Sequence, residues 1–76
     1  MRMKIQWIDG ASLRVLSENG TATICANWEG LLSLARQLTD LAEETPGSHI
    51  HYDDTNSLED GSDQLIVELV EPDRRR

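Results

Sequence analysis

The sequence is poor in aromatic residues and in cysteine. Its 76 residues include no Phe, one Tyr and two Trp, so aliphatic side chains must form most of the core. A chain of this length buries only roughly 60% of the surface that its unfolded form exposes, which leaves no material for a second core. An enclosed active-site cavity would also take core volume, so a function at the surface is favoured. Cys25 is the only cysteine, which excludes an intramolecular disulfide.

Basic residues are scarce as well. Seven Lys and Arg stand against fourteen Asp and Glu, and the formal net charge is −7. Such an acidic body would repel a phosphate backbone, so nucleic acid is not expected as a partner. Three of the basic residues, Arg74, Arg75 and Arg76, form the C-terminal end. We expect a single domain over residues 1–72 and a disordered basic tail over 73–76, which either touches an anionic partner or aids solubility.

Long apolar runs are missing. No stretch approaches the roughly 20 apolar residues that cross a bilayer. The first residues carry positive charge but lack the apolar run of a signal peptide. We therefore expect a soluble cytoplasmic protein that does not contact a membrane.

The N-terminal third of the sequence predicts three strands. Apolar residues alternate with polar ones over Met3–Ile8 and Ser12–Ser17, and Thr21–Ala26 is rich in β-branched residues. Asp9-Gly10 and Asn19-Gly20 separate these segments, and both pairs are typical of tight hairpin turns. Three strands in a meander are expected.

One amphipathic helix follows, predicted from about Trp28 to Thr45. Asn27 is a favourable N-cap, and Pro46-Gly47 ends the helix because Pro cannot continue it. Apolar side chains recur at spacings of three and four residues, which predicts that they face the core. These residues are Leu31, Leu34, Ala35, Leu38, Leu41 and Ala42.

Two further strands are predicted over Ser48–Asp53 and Gln64–Val70, the second apolar enough for a central strand. The predicted fold class is therefore α+β, with the order βββ-α-ββ. It is a mainly antiparallel five-stranded sheet with one helix packed on one face. The other face is open, and a dimer or a protein partner would cover its apolar residues Ile66 and Val70.

The densest chemical signal is the histidine pair. In a strand, His49, His51 and Asp53 project from one face, and Ile50 and Tyr52 from the other. A His-x-His pair with nearby carboxylates can hold zinc, but such a site needs a third ligand that no spacing supplies. We expect neither a metal nor another cofactor, and a solvated or protein-contacting strand face instead.

Catalytic groups are not apparent in the sequence. Cys25 has no neighbouring base, and no Ser lies in a strained, glycine-flanked turn. Asp60-Gly-Ser62 lacks the basic residue and the following helix of a phosphate-binding loop. The prediction is that the chain is not an enzyme.

Acidic residues are concentrated in one segment. Residues 43–63 contain seven acids and no Lys or Arg. A negative field of this kind speeds association with a basic partner, although ordinary solubility explains it equally well.

Three short motifs resemble a known family. They are Asn27-Trp-Glu-Gly-Leu31 at the helix start, His49-Ile-His-Tyr-Asp53, and Gly61-Ser62 followed by Leu65-Ile-Val-Glu68. Over about residues 23–68 the chain resembles the bacterial immunity proteins of polymorphic toxin systems, in particular the immunity protein 32 family. The resemblance implies a small cytoplasmic antidote that binds a cognate toxin domain and blocks it stoichiometrically.

The motif positions carried over from the family are Asn27, Glu29, Gly30, His49, His51 and Asp53. Asn27 and Gly30 are expected to serve the fold, one as a cap and the other by close packing. The histidine strand and the acidic loop are expected to contact the toxin. The predicted partner-binding residues are His49, His51, Asp53, Asp54, Glu59 and Asp60.

Two other interpretations stay open. The chain could be a homodimeric accessory or structural domain that associates through the open sheet face. It could also be a metal-binding regulator built on His49 and His51, although the missing third ligand weighs against this.

Overall fold

The computed structural model describes residues 5–55 and 57–71, and these form one helix and four strands. In chain order the elements are β1 (Leu13–Glu18), β2 (Thr21–Ala26), α1 (Trp28–Leu41), β3 (His49–Tyr52) and β4 (Leu65–Glu68). Within the described residues, β1 pairs with β2 and β3 with β4 in two separate antiparallel sheets. The α+β class is correct, but the predicted five-stranded sheet is wrong.

The first predicted strand, Met3–Ile8, is not a strand over its described residues 5–8. The carbonyl of Gln6 accepts a hydrogen bond from Nε2 of Gln37 at 2.8 Å, and the amide of Ile8 donates to Oγ of Ser33 at 2.9 Å. Helix side chains therefore satisfy backbone groups that a sheet ladder would use. Residues 3 and 4 of the prediction lie outside the described residues, as does the predicted tail over 73–76.

The outer edge of β1 explains why the two hairpins do not join into one sheet. The carbonyls of Leu13 and Val15 accept hydrogen bonds from the amides of Glu59 and Asp63, at 2.9 and 2.7 Å. The amide of Val15 donates to Oγ of Ser62 at 3.2 Å. The loop between β3 and β4 thus occupies the edge of β1 that another strand would need.

The turn between β1 and β2 confirms the Asn-Gly prediction. Asn19 and Gly20 have φ angles of 52° and 80°. Two consecutive residues with positive φ are typical of the type I′ turn, whose twist matches that of the flanking strands.

Helix α1 begins as predicted and ends earlier. The Oδ1 atom of Asn27 accepts from the amide of Gly30 at 2.8 Å, which caps the first turn. After Leu41 the amides of residues 43 and 44 bond three residues back, so the chain tightens into turns. Pro46 disfavours helical geometry at the residue before it, and the predicted extension to Thr45 is wrong.

The face of α1 that meets the core differs from the predicted stripe. The buried helix residues are Gly30, Ser33, Leu34, Gln37 and Leu41. Only two members of the predicted stripe, Leu34 and Leu41, are among them, while Leu31 is 52% exposed. Gly30 sets the rotation of α1 about its axis, because the helix approaches Ser12 so closely there that a Cβ atom would overlap the Ser12 carbonyl oxygen. The hydrogen bonds of Ser33 and Gln37 to the segment before β1 keep the helix in this rotation.

The core lies between α1 and the inner faces of the two hairpins. Its buried apolar residues are Leu13, Val15, Leu34, Leu41, Ile50, Tyr52 and Leu58. Tyr52 is fully buried and its ring meets that of Trp7 edge-on, with centroids 6.2 Å apart. β4 contributes only half-buried side chains on alternate positions, so the prediction of a central strand covered on both sides is wrong.

Candidate partner-binding surface

Strand β3 presents its histidines to solvent. His49 and His51 are exposed, whereas Ile50 and Tyr52 are buried, as the alternation in the sequence predicted. In the β3–β4 ladder His49 lies opposite Glu68, and His51 lies opposite Ile66. Directly opposite residues share a sheet face, so the two histidines stand beside one acidic and one apolar side chain.

His51 is engaged by a neighbouring side chain. Its Nε2 atom lies 2.8 Å from Oε1 of Gln64. An amide oxygen only accepts hydrogen bonds, so Nε2 carries the hydrogen and has no lone pair for a metal in this arrangement. Within residues 5–55 and 57–71, no three His, Cys, Asp or Glu side chains are grouped as metal ligands.

Asp53 helps to form a turn. Its Oδ1 accepts from the amide of Thr55 at 3.0 Å and from the Thr55 hydroxyl at 2.8 Å. Its carbonyl accepts from the amides of Ser57 and Leu58. These bonds shape the chain after β3 and direct Leu58 into the core, so Asp53 has a structural role that the sequence prediction did not include.

The acidic loop is tied to the first hairpin. Besides the backbone bonds of Glu59 and Asp63 to β1, Oδ2 of Asp63 accepts from the amide of Ser17 at 2.6 Å. The side chains of Asp54, Glu59 and Asp60 are exposed. The acidic loop is therefore attached to β1, and these three carboxylates remain available at the surface.

The six predicted contact residues belong to two parts of the fold. His49 and His51 lie on the outer face of β3, and Asp53 and Asp54 follow in the turn. Glu59 starts the stretch of loop that runs along β1. The structure brings the two histidines together on one face, places Asp53 and Asp54 in the turn that follows, and holds the backbone of Glu59 against the other hairpin.

An open cleft of about 410 Å³ runs along the free edge of β3. It is lined by Ile5, Leu41, Glu44, Gly47, Ser48, His49, Ile50 and His51. Among the described residues that line the cleft, Glu44 is the only ionisable one apart from the histidines. The cleft is an open recess available to a partner.

The outer helix face is a second candidate, which the sequence reasoning missed. It consists of Trp28, Leu31, Leu32, Ala35 and Leu38, all of them exposed. Trp28 is 72% exposed. The signal in the sequence was the adjacent pair Leu31-Leu32, because two neighbouring residues on a helix cannot both lie at the centre of one buried stripe.

No helix in the described parts of the chain has the length and apolar character needed to span a bilayer.

Comparison with known proteins identifies a family. The family model described as Immunity protein 32 matches residues 21–70, about two thirds of the chain, from β2 through β4. No curated protein and no solved structure matches the chain.

Proposed function

The chain belongs to the immunity protein 32 family, as its motifs predicted, and we propose that it binds and neutralises one cognate bacterial toxin domain. Immunity proteins have toxin inhibition as their general role and are generally not enzymes. The finer proposal is inhibition by stoichiometric protein–protein contact in the cytoplasm. The observation that carries it is the family match across β2, α1, β3 and β4.

The surface charge supports a basic partner. The chain carries a net charge of −7, and the carboxylates of Asp54, Glu59 and Asp60 are exposed. An acidic surface accelerates encounter with a basic domain and selects against acidic ones. The bonds of Glu59 and Asp63 to β1 hold the acidic loop in place, so less ordering entropy is lost on binding.

The histidine face supplies further contacts in this proposal. His49 and His51 present imidazole rings beside the exposed side chain of Ile66. Asp53 acts by shaping the turn that leads from this face to Asp54. The six residues predicted from the sequence form the polar part of the proposed contact surface: His49, His51, Asp53, Asp54, Glu59 and Asp60.

The test uses the neighbour-encoded toxin domain, defined as the C-terminal domain of a large multidomain protein whose gene adjoins the gene for this chain. Titration calorimetry with the two purified proteins should give a stoichiometry near one. The activity of the toxin domain should fall in proportion to the chain added. Absence of binding, or binding without inhibition, would overturn the proposal.

A homodimeric domain is the second candidate. Ile66 is 58% exposed on β4, and Val70 beyond it is exposed as well. Apolar residues on an unpaired sheet face are typical of association surfaces. Sedimentation of the purified chain decides this point, because a concentration-dependent dimer that Ile66→Lys dissociates would favour self-association.

A further inference from the structure

We propose that the outer helix face, formed by Trp28, Leu31, Leu32, Ala35 and Leu38, is the surface that docks into an apolar groove of the toxin domain. The inference rests on the proposed function and adds the surface through which it acts. The hydrophobic spacing of α1 predicts that part of this face lies in the core, and the family motifs predict that the toxin contact lies elsewhere. The exposure of these side chains and the rotation of α1 lead to a different assignment.

The outer helix face is continuous along the helix. Its residues stand at positions i, i+3, i+4, i+7 and i+10, which fall on one side of a helix with 3.6 residues per turn. The buried residues, from Gly30 to Leu41, occupy the opposite side. Helices that bind in a groove of a partner use anchors at this spacing.

The distribution of polar and apolar side chains on α1 is unusual for a small domain. Ser33 and Gln37 are each only 2% exposed, whereas Leu31 and Leu32 face solvent. Among the described residues the core has seven buried apolar side chains, so packing these leucines inside would have increased a scarce source of stability. An apolar face left outside under these conditions is typical of a protein-binding surface.

The backbone next to Trp28 is held in place at the start of the outer helix face. The neighbouring Asn27 accepts from the amides of Gly30 and Ser12 through Oδ1, at 2.8 and 2.9 Å. Asn27 also donates from Nδ2 to the carbonyl of Gly10 at 2.8 Å. The helix start is thereby fixed to the loop before β1, so the backbone that carries Trp28 is already ordered before binding. Trp is among the residues that most often dominate binding energy.

Charge identifies the occupant as a basic partner. Glu29, Arg36 and Asp40 stand at positions i, i+7 and i+11 and line one flank of the outer helix face. Two acids against one base make this flank negative. A second copy of the chain would bring two net charges of −7 together, so self-association through this face is disfavoured. A basic toxin domain with an apolar groove complements both the acidic flank and the apolar residues of the outer helix face.

The experiment measures binding of the neighbour-encoded toxin domain to Trp28→Ala and Leu32→Ala. Each variant should raise the Kd by about 10-fold or more, mainly through faster dissociation. Leu16→Ala is the matched control, since Leu16 on β1 is 41% exposed against 43% for Leu32, and its Kd should stay within about 2-fold of wild type. Circular dichroism should show that all three variants remain folded.

A second measurement avoids truncating the outer helix face. In a Trp7→Phe variant, Trp28 is the only tryptophan of the chain, so its emission reports on this face once the emission of the toxin domain alone is subtracted. Addition of the toxin domain should shift that emission to shorter wavelength, because the indole leaves water.

The outcomes separate the inference from the proposed function. If the wild-type chain does not bind the toxin domain, the proposed function fails and the inference fails with it. If the wild-type chain binds but Trp28→Ala and Leu32→Ala bind equally well, or the emission of Trp28 does not shift, only the inference fails. A loss of affinity in Leu16→Ala that equals the loss in Trp28→Ala would show that the outer helix face has no special part in binding and would overturn the inference too.

Discussion

The hydroxyl of Tyr52 donates a hydrogen bond of 2.7 Å to Oε1 of Gln37, which joins the end of β3 to the buried face of α1. Gln37 in turn donates to the carbonyl of Gln6 at 2.8 Å. This chain of bonds links three segments that are distant in sequence. It also explains why a polar side chain occupies the inner face of the helix, since buried polar groups persist where they are paired.

Burial of Tyr52 predicts a loss of stability at high pH. Desolvation raises the pKa of its hydroxyl from 10.0 to about 12, because the charged form is disfavoured in the core. The folded pKa lies above the unfolded one, so the contribution of the neutral Tyr52 hydroxyl to the free energy of unfolding is fully present below pH 10. This contribution is lost as pH rises from about 10 through 12.

Urea unfolding at several pH values checks this prediction. Between about pH 10 and 12 the free energy of unfolding should fall in the wild-type chain and much less in Tyr52→Phe. Tyr52 is the only tyrosine, so tyrosinate absorbance reports its titration directly. A folded-state midpoint near 10 would show that the hydroxyl is not desolvated.

Gly30→Ala is expected to destabilise the fold. Helix propensity alone predicts the opposite, a gain of about 1 kcal/mol from replacing Gly by Ala in a helix. The new methyl group would overlap the carbonyl oxygen of Ser12, which is backbone and cannot move aside easily. We expect the free energy of unfolding to fall by about 2 kcal/mol, as for overpacking in a core. Leu31→Ala is the control, because Leu31 lies on the exposed side of α1. A Gly30→Ala variant that is more stable than wild type would refute the close approach of Gly30 to the Ser12 carbonyl.

The local elements were predictable from the sequence because their causes are local. The Asn27 cap, the Asn19-Gly20 turn and the burial of Ile50 and Tyr52 each follow from a few adjacent residues. The exposed histidine face follows from the same alternation. These parts of the fold and of the candidate site needed no knowledge of distant contacts.

The helix rotation and the sheet arrangement depend on contacts between distant segments. Leu31 and Leu34 are equally apolar, so hydrophobicity alone does not decide which of them is buried. Leu34 is the buried one because Gly30 approaches the Ser12 carbonyl closely and Gln37 donates a hydrogen bond to the Gln6 carbonyl. The separation of the hairpins arises from backbone bonds of the acidic loop to β1, which leave no pattern in side-chain hydrophobicity. For this reason the outer helix face could not be assigned from periodicity alone.

Neighbouring acids after β3 should differ in their contribution to stability. Asp53 accepts two hydrogen bonds from Thr55, whereas Asp54 is an exposed residue in the same turn. Asp53→Ala should lower the free energy of unfolding by about 1 kcal/mol, and Asp54→Ala by less than about 0.5 kcal/mol. Chemical denaturation of the pair measures this. Equal losses would mean that the turn does not depend on the Asp53 carboxylate.

Reversing Asp54, Glu59 and Asp60 to Lys should slow association with the neighbour-encoded toxin domain. The exposed carboxylates steer a basic partner, so the association rate should fall by about 10-fold or more at low salt. The wild-type rate should itself decrease as salt rises. Stopped-flow mixing measures both effects.

The matched control for the charge reversal places the same three changes elsewhere. Asp9, Glu18 and Glu71 are also exposed, and their reversal alters the net charge equally. This variant should associate faster than the loop variant. Identical rates would show that only the total charge matters and that the acidic loop has no special position in the encounter.

Survival of cells that express the neighbour-encoded toxin domain is the most direct test of the account. Co-expression with the wild-type chain should restore growth, and expression of the toxin domain alone should stop it. Death of the cells despite soluble expression of the chain would contradict toxin neutralisation.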